Sequence, residues 1–203
     1  MDDSVKILVI DNYDSFTFNL VHLIESLDVS FEVRRNDELL SIPSQSYSHL
    51  LIGPGPGLPN SSGVLIAFLK LWPNDKPVLG VCLGMQALLT LEEAQIRNLV
   101  KVYHGACEPV HVLKSSKWMH GIPSAFMAGR YHSWGFLTDD IPSNYTIVAE
   151  DAEKNVMAIE HKVYPWFGVQ YHPESIMTEF GDLLIRNFIA TRKTNNLETA
   201  QSL

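Results

Sequence analysis

The feature that most constrains the fold is a pentapeptide between a predicted strand and a predicted helix. Gly80-Val81-Cys82-Leu83-Gly84 follows the apolar run 77–79 and precedes the helix-like stretch 85–89. A strand that turns sharply into a helix, with a glycine two residues to either side of the central residue, is typical of a nucleophile elbow. A β-carbon at either glycine would clash with the neighbouring strand or helix. The pentapeptide therefore predicts an α/β fold with Cys82 at a crowded turn.

Cys82 is a candidate nucleophile because of where this turn would place its sulfur. At the N-terminus of a helix, the helix dipole and the free N–H groups favour a thiolate over a thiol. The alternative is a buried cysteine at the end of a strand, flanked by two incidental glycines. The pentapeptide alone does not separate these two interpretations.

Length, charge and cysteine content exclude several classes of protein. The chain has 203 residues and a formal net charge of −8 with scattered acidic residues, which argues against a nucleic-acid or anionic-membrane surface. Apolar runs are too short to span a bilayer, and no signal peptide is predicted. The two cysteines form neither a disulfide framework nor a zinc site, which favours the cytoplasm. The second cysteine, Cys107, lies in a strand-like segment and is expected to be buried.

The hydrophobic pattern predicts one α/β domain over residues 1–192, followed by a polar C-terminal tail over residues 193–203. Strands and helices alternate in the first half, which predicts a doubly wound, mostly parallel central sheet with flanking helices. In the second half, short strands separated by turns predict a small antiparallel excursion. The first helix is expected to begin at Asp14, its N-cap, and three more helices are expected over about 63–71, 85–89 and 178–191. The short strands of the second half are expected at 100–103, 110–113, 145–148, 156–159 and 167–170.

A cysteine nucleophile needs a base, and His172 is the leading candidate. Pro173 favours an extended backbone at His172, so the side chains of His172 and Glu174 should project to the same side. A carboxylate beside an imidazole fixes its tautomer and stabilises the imidazolium that forms when it takes the thiol proton. His132 remains a rival base at this point.

The same chemistry needs donors for an oxyanion. The backbone N–H of Leu83 opens the elbow helix, and a second donor must come from a loop across the sheet. The loop from Gly55 to Gly57 follows the third predicted strand, at the carboxyl edge where open α/β sheets bind ligands. A rigid surface loop is the alternative interpretation of this segment.

Five motifs in collinear order, between residues 5 and 190, carry a resemblance to one family. Gly-Pro-Gly-x-Pro at 55–59, Gly-x-Cys-x-Gly-x-Gln at 80–86 and His-Pro-Glu-Ser at 172–175 resemble the class I (triad) glutamine amidotransferases, whose fold is flavodoxin-like. Asp-Asn-Tyr-Asp-Ser-Phe-Thr at 11–17 and Arg-Tyr-His-Ser at 130–133 are similar to those of the glutaminase subunits of anthranilate synthase and aminodeoxychorismate synthase.

The resemblance implies a glutaminase. Cys82 would attack the side-chain amide of glutamine, and His172, oriented by Glu174, would protonate the leaving ammonia. The N–H groups of Gly57 and Leu83 would form the oxyanion hole. The residues that would hold glutamine are Gly55, Gly57, Gln86, Ser133 and Trp134, although many family members have leucine at the position of Trp134.

The resemblance also implies a partner. Ammonia would pass to a chorismate-using synthase subunit, with no cofactor in this chain and Mg²⁺ expected in the partner. Anthranilate synthesis is the favoured branch; aminodeoxychorismate synthesis, or service to both synthases, is the alternative. Two further hypotheses are a different cysteine hydrolase on a similar fold and a non-catalytic regulatory subunit.

Overall fold

The computed structural model describes residues 5–191. Its strands are β1 (Lys6–Asp11), β2 (Ser30–Arg35), β3 (His49–Ile52), β4 (Val78–Val81), β5 (Arg97–Asn98), β6 (Ala106–Val112), β7 (Ala125–Arg130), β8 (Trp134–Gly135), β9 (Tyr145–Glu150), β10 (Val156–His161) and β11 (Trp166–Val169). Its α-helices are α1 (Thr17–Glu25), α2 (Leu65–Leu69), α3 (Leu83–Leu91) and α4 (Gly181–Ala190). No helix in this part of the chain is long and apolar enough to cross a membrane.

Nine of the strands form one sheet in the order β2-β1-β3-β4-β11-β10-β9-β6-β7. The pairs from β2 to β11 are parallel, whereas the pairs from β11 to β7 are antiparallel. A separate antiparallel pair joins β5 to β8. The predicted fold class, an α/β fold with a largely parallel sheet, flanking helices and an antiparallel portion, is confirmed.

Both faces of the parallel half are covered, which explains the continuous apolar run in β1. Ile7 and Val9 point into one hydrophobic cluster, together with residues of α1 and α4. Leu8 and Ile10 point into the other cluster, with residues of α2 and α3. Since successive side chains of a strand alternate between the two faces, every position of a doubly covered strand must be apolar.

The topology gathers several chain segments at one edge of the sheet. The segments that follow β1, β3, β4 and β11 all leave from the carboxyl ends of adjacent parallel strands. This is the edge at which open α/β sheets bind ligands. It carries the 53–57 loop, Cys82 and Gln170.

Four local predictions are wrong. Residues 100–103 form no strand: Val100 and Val102 are exposed, and the buried Tyr103 stacks on the His132 ring. The residue that caps α1 is Phe16 rather than Asp14, although the Asp14 carboxylate accepts a hydrogen bond from the Phe16 N–H. Helix α4 begins at Gly181, because Phe180 takes a left-handed conformation. Cys107 is exposed on β6. The predicted tail lies outside the described residues.

Candidate active site

Cys82 occupies a strained turn between β4 and α3. Its backbone has φ 52° and ψ −104°, a conformation that L-residues rarely adopt. A β-carbon at Gly80 would lie 2.4 Å from the carbonyl carbon of Gly84, and one at Gly84 would lie 2.4 Å from the backbone oxygen of Ile52. The two glycines therefore allow the helix to start directly against β3 and β4, and this holds the Cys82 side chain at the edge of the sheet.

The Cys82 sulfur contacts an amide from the neighbouring strand. Cys82 is 6% exposed, and its sulfur accepts a hydrogen bond from Gln170 Nε2 at 3.4 Å. This contact follows from the register, since Val81 pairs with Val169 and the next residue of each strand lies beside the other. The Cys82 N–H also donates to the Val169 carbonyl at 2.8 Å. Val169, at the end of β11, and the adjacent Gln170 thus hold the backbone and the sulfur of Cys82.

His172 and Glu174 form a buried pair beside this sulfur. His172 Nδ1 donates to Glu174 Oε1 at 2.7 Å, and their side chains are 2% and 0% exposed. The other ring nitrogen, Nε2, is buried and has no partner of normal hydrogen-bond geometry in the described chain. Burial opposes the charged imidazole, but the Cys82 sulfur and then Glu174 outweigh it and raise the pKa of His172 to about 10. The arrangement favours an imidazolium next to the sulfur.

Aromatic rings and backbone bonds fix the orientation of the His172 ring. The rings of Phe16 and Tyr131 meet it edge-on, with centroid distances of 5.2 and 5.0 Å. The His172 N–H donates to the Gly129 carbonyl at 3.0 Å, and its own carbonyl accepts from the Thr178 hydroxyl at 2.5 Å. His172 is therefore held from the ring, the N–H and the carbonyl, with Nε2 left for the sulfur.

His132, the rival base, has both ring nitrogens occupied. Nδ1 donates to the Trp134 carbonyl at 2.9 Å, and Nε2 accepts from Arg130 Nε at 3.2 Å. Burial, with the adjacent Arg130 charge, lowers the pKa of His132 to about 3. A neutral imidazole with no free nitrogen cannot take the thiol proton, so of the two histidines His172 is the better candidate for the base.

The 53–57 loop lies against the elbow. A β-carbon at Gly55 would lie 2.5 Å from Asn12 Cβ and 3.0 Å from Leu83 Cδ2, so this glycine packs between β1 and α3. Asn12 fixes the loop by donating to the Gly53 carbonyl at 2.8 Å. Gly57 has a positive φ of 77°, which turns the loop at the predicted donor. Leu83 is the first residue of α3, so no carbonyl of a preceding helical turn is available to accept a hydrogen bond from its N–H.

The predicted glutamine-binding residues of α3 and β8 are joined by a hydrogen bond. Gln86 is buried, and its Nε2 donates to the Trp134 carbonyl at 3.0 Å. The preceding residue, Ser133, is anchored through its carbonyl, which accepts from the Leu99 N–H at 2.8 Å. The contact at Trp134 uses the backbone, so leucine or tryptophan at this position would leave it unchanged. The structure thus brings Gln86 into contact with Trp134, which Ser133 precedes in the chain.

Three buried residues near the site were missed by sequence reasoning. Gln170 contacts the sulfur, and the buried pair of Arg130 and Asp151, 2.7 Å apart, supports His132. Gln170 lies 88 residues from Cys82, and Asp151 lies 21 residues from Arg130. The pattern of hydrophobic residues does not indicate contacts across such separations. A signal was available for Gln170, which lies two residues before His172 at the end of a predicted strand. Within residues 5–191, no group of three or more His, Cys, Asp or Glu side chains could hold a metal ion.

Comparisons with known proteins agree with this geometry. The profile of the family described as "Glutamine amidotransferase class-I" matches residues 8–191. A Haemophilus influenzae protein provisionally named anthranilate synthase component II is 41% identical over 95% of this chain and 100% of its own length. The aminodeoxychorismate synthase component 2 of Klebsiella aerogenes is 39% identical over 90% of this chain and 98% of its own.

A solved structure shares the fold. It is a Thermoplasma acidophilum protein provisionally described as one of the subunits of GMP synthase, and it superposes with a TM-score of 0.81. The match covers 93% of this chain and 94% of that one, at 24% sequence identity.

The structure has a buried Cys-His-Glu cluster at the sheet edge, and the family profile and the relatives in two enzyme groups match most of the sequence. The chain therefore belongs to the class I glutamine amidotransferases.

Proposed function

We propose that Cys82, His172 and Glu174 are the catalytic residues of a glutaminase that supplies ammonia to a chorismate-using synthase. The observation that carries the proposal is the convergence of these three side chains in one buried place. Cys82 leaves β4, whereas His172 and Glu174 follow β11, and the parallel pairing of the two strands brings them together. A buried carboxylate, imidazole and thiol in this order make an activated nucleophile.

The residues suit a two-step hydrolysis. The Cys82 thiolate attacks the side-chain carbonyl carbon of glutamine, and the resulting tetrahedral intermediate collapses when His172 gives its proton to the departing nitrogen. Ammonia leaves and a γ-glutamyl thioester remains on the sulfur. His172 then takes a proton from water, which attacks the thioester and releases glutamate and the thiolate.

Backbone donors complete the site in this proposal. The N–H groups of Gly57 and Leu83 bind the oxyanion of both tetrahedral intermediates. Glutamine lies along Gly55 and Gln86, with the backbone of Ser133 and Trp134 on the other side. Because the Gln86 Nε2 is already engaged by the Trp134 carbonyl, its Oε1 is the atom offered to the substrate.

We propose anthranilate synthesis as the first branch to test, and aminodeoxychorismate synthesis, or service to both, as the alternative. Relatives named for each branch match this chain at nearly the same identity. A groove of about 540 Å³ beside Glu174, lined in part by Phe16, Tyr131 and the fully exposed Ile176, supports a partner that docks near the site.

Mg²⁺ is assigned to this partner, and glutamine hydrolysis by this chain is proposed to need no cofactor. Two free cysteines favour a cytoplasmic location.

The test is reconstitution with each class of synthase. The chain is co-expressed with an anthranilate synthase component I or an aminodeoxychorismate synthase component I, and complex formation is measured. Glutamine-dependent and ammonia-dependent product formation are then compared in each complex. We expect glutamine to support synthesis with at least one partner. Absence of glutamine hydrolysis in every complex that forms would refute the proposal.

The two competing hypotheses give different results in the same assay. A cysteine hydrolase of another kind would cleave peptides or esters without turning over glutamine. A non-catalytic regulatory subunit would alter ammonia-dependent synthesis without hydrolysing glutamine. The intact pairing of His172 with Glu174 beside the sulfur argues against the regulatory alternative.

A further inference from the structure

A chain of hydrogen bonds leads from the Cys82 sulfur to the backbone of β8. Gln170 Nε2 donates to the sulfur at 3.4 Å, and Gln170 Oε1 accepts from Gln86 Nε2 at 3.1 Å. Gln86 Nε2 also donates to the Trp134 carbonyl at 3.0 Å. A backbone carbonyl can only accept, so the amide nitrogen of Gln86 must face it. This fixes the orientation of both amides and places an N–H of Gln170 against the sulfur.

The chain of hydrogen bonds continues beyond the Trp134 carbonyl to a buried ion pair. That carbonyl also accepts from His132 Nδ1, which makes Nε2 the acceptor for Arg130 Nε–H. An arginine side chain can only donate, so the tautomer of His132 is fixed from both of its ends. Arg130 is fully buried and is held by Asp151 at 2.7 Å. Every donor and acceptor between the ion pair and the sulfur therefore has one possible direction.

We propose that Gln170 is a positioning residue for the reaction: its side-chain N–H holds the Cys82 sulfur toward His172 and stabilises the thiolate. Gln170 is fully buried, so water cannot replace its hydrogen bond. A donor to the charged form of an acid favours that form. Gln86, the Trp134 carbonyl, His132 and Arg130 hold the amide in the donating orientation.

The proposal rests on the proposed function insofar as it requires Cys82 to be the nucleophile. The ionisable groups in this region include His172, Glu174, His132, Arg130 and Asp151. Because Gln170 is neutral, its replacement by leucine removes a hydrogen-bond donor and leaves each of these groups in place. The effect of Gln170→Leu on the reactivity of the Cys82 sulfur can then be measured without replacing either histidine.

The test is the pH profile of Cys82 alkylation by iodoacetamide in the full chain. A Cys107→Ser background removes the exposed thiol, the only other one in the sequence. We expect Gln170→Leu to move the alkylation profile about one unit higher and, at a pH below the native midpoint, to slow alkylation about tenfold, because one pH unit is then a tenfold change in thiolate fraction. Gln170→Glu, which places acceptor oxygens at the sulfur, should slow it further. The kcat/KM for glutamine with a synthase partner should fall at least tenfold in both.

Tyr171→Phe is the matched control. Tyr171 lies between Gln170 and His172, is buried, and has a hydroxyl without a hydrogen-bond partner among the described residues. Its replacement disturbs the same backbone without touching the sulfur, so alkylation should be unchanged. Thermal unfolding identifies which variants fold. An unchanged alkylation profile in a folded Gln170 variant overturns the proposal. Failure of the native complex to turn over glutamine would instead refute the proposed function and leave the alkylation result to stand alone.

Discussion

His172 and His132 are both buried and lie close enough for the charge on one to affect the other, yet their pKa values move in opposite directions. The pKa of His172 rises to about 10, whereas the pKa of His132 falls to about 3. Burial disfavours the charged form of each. The difference comes from the partners, because His172 faces a carboxylate and a sulfur and His132 faces the Arg130 guanidinium.

The comparison shows how one site can contain an acid and a neutral support made of the same residue type. In the proposed reaction, His172 keeps the proton that is given to the leaving group. His132 keeps a fixed tautomer that holds the Trp134 carbonyl. The charged neighbours thus account for the difference between the two histidines.

The largest effect is expected from Cys82→Ala, which removes one of the groups that raise the pKa of His172. Glutamine-dependent synthesis by the complex should fall by about 10⁵-fold, because nucleophile removal abolishes the covalent route. Ammonia-dependent synthesis should be unchanged, since the partner then works alone. Product formation from each nitrogen source measures both. Loss of the ammonia-dependent rate as well would mean that Cys82 is needed for folding or docking.

Glu174→Gln should reduce kcat for glutamine by about 10³-fold, because an amide neither stabilises the imidazolium nor fixes its tautomer as well as a carboxylate. The pKa of His172 should fall, and NMR titration of the imidazole checks this directly. A His172 titration identical to that of the native chain would show that the carboxylate contributes little to the difference between the two histidines.

Arg130→Met should lower the free energy of unfolding by about 3 kcal/mol, because it leaves the buried Asp151 carboxylate without its ion-pair partner. Asp151 retains hydrogen bonds from the backbone and side chain of Asn155, which limit the loss. Urea unfolding gives the value. The double replacement Arg130→Met with Asp151→Asn is the control: the amide removes the unpaired charge and keeps an acceptor oxygen for the Asn155 donors, so it should recover part of the stability. A fully stable single variant would contradict the role given to this pair.

The smallest effect is a pH dependence from His132. Its folded pKa lies below the unfolded value, so the unfolded chain binds the extra proton as the pH falls from about 6.5 toward 3, and stability decreases over that range. At pH 5 this amounts to about 2 kcal/mol. His132→Asn keeps a donor for the Trp134 carbonyl but does not titrate. Urea unfolding at pH 7 and pH 5 should therefore show a smaller acid loss in the variant than in the native chain.

The sequence predicted those parts of the site that depend on local geometry. The glycines around Cys82 and the alternation of His172 and Glu174 are short-range features with direct steric causes. Gln170 was missed because its contact with Cys82, 88 residues away, depends on which strands are neighbours. The strand predicted at 100–103 failed for a related reason. Its apolar residues satisfy a strand pattern, but Val100 and Val102 are exposed, and Tyr103 packs on the His132 ring rather than in a sheet.

The backbone at Cys82 has a consequence for how such a protein changes under selection. A residue other than glycine at φ 52° and ψ −104° costs on the order of 1–3 kcal/mol, and glycine would relieve that strain. Cys82→Gly should thus be at least as stable as Cys82→Ala in urea unfolding, while both lack the nucleophile. Screening a library for thermal resistance alone would enrich an inactive protein, because the strained backbone at residue 82 lowers the stability of the chain that carries the sulfur.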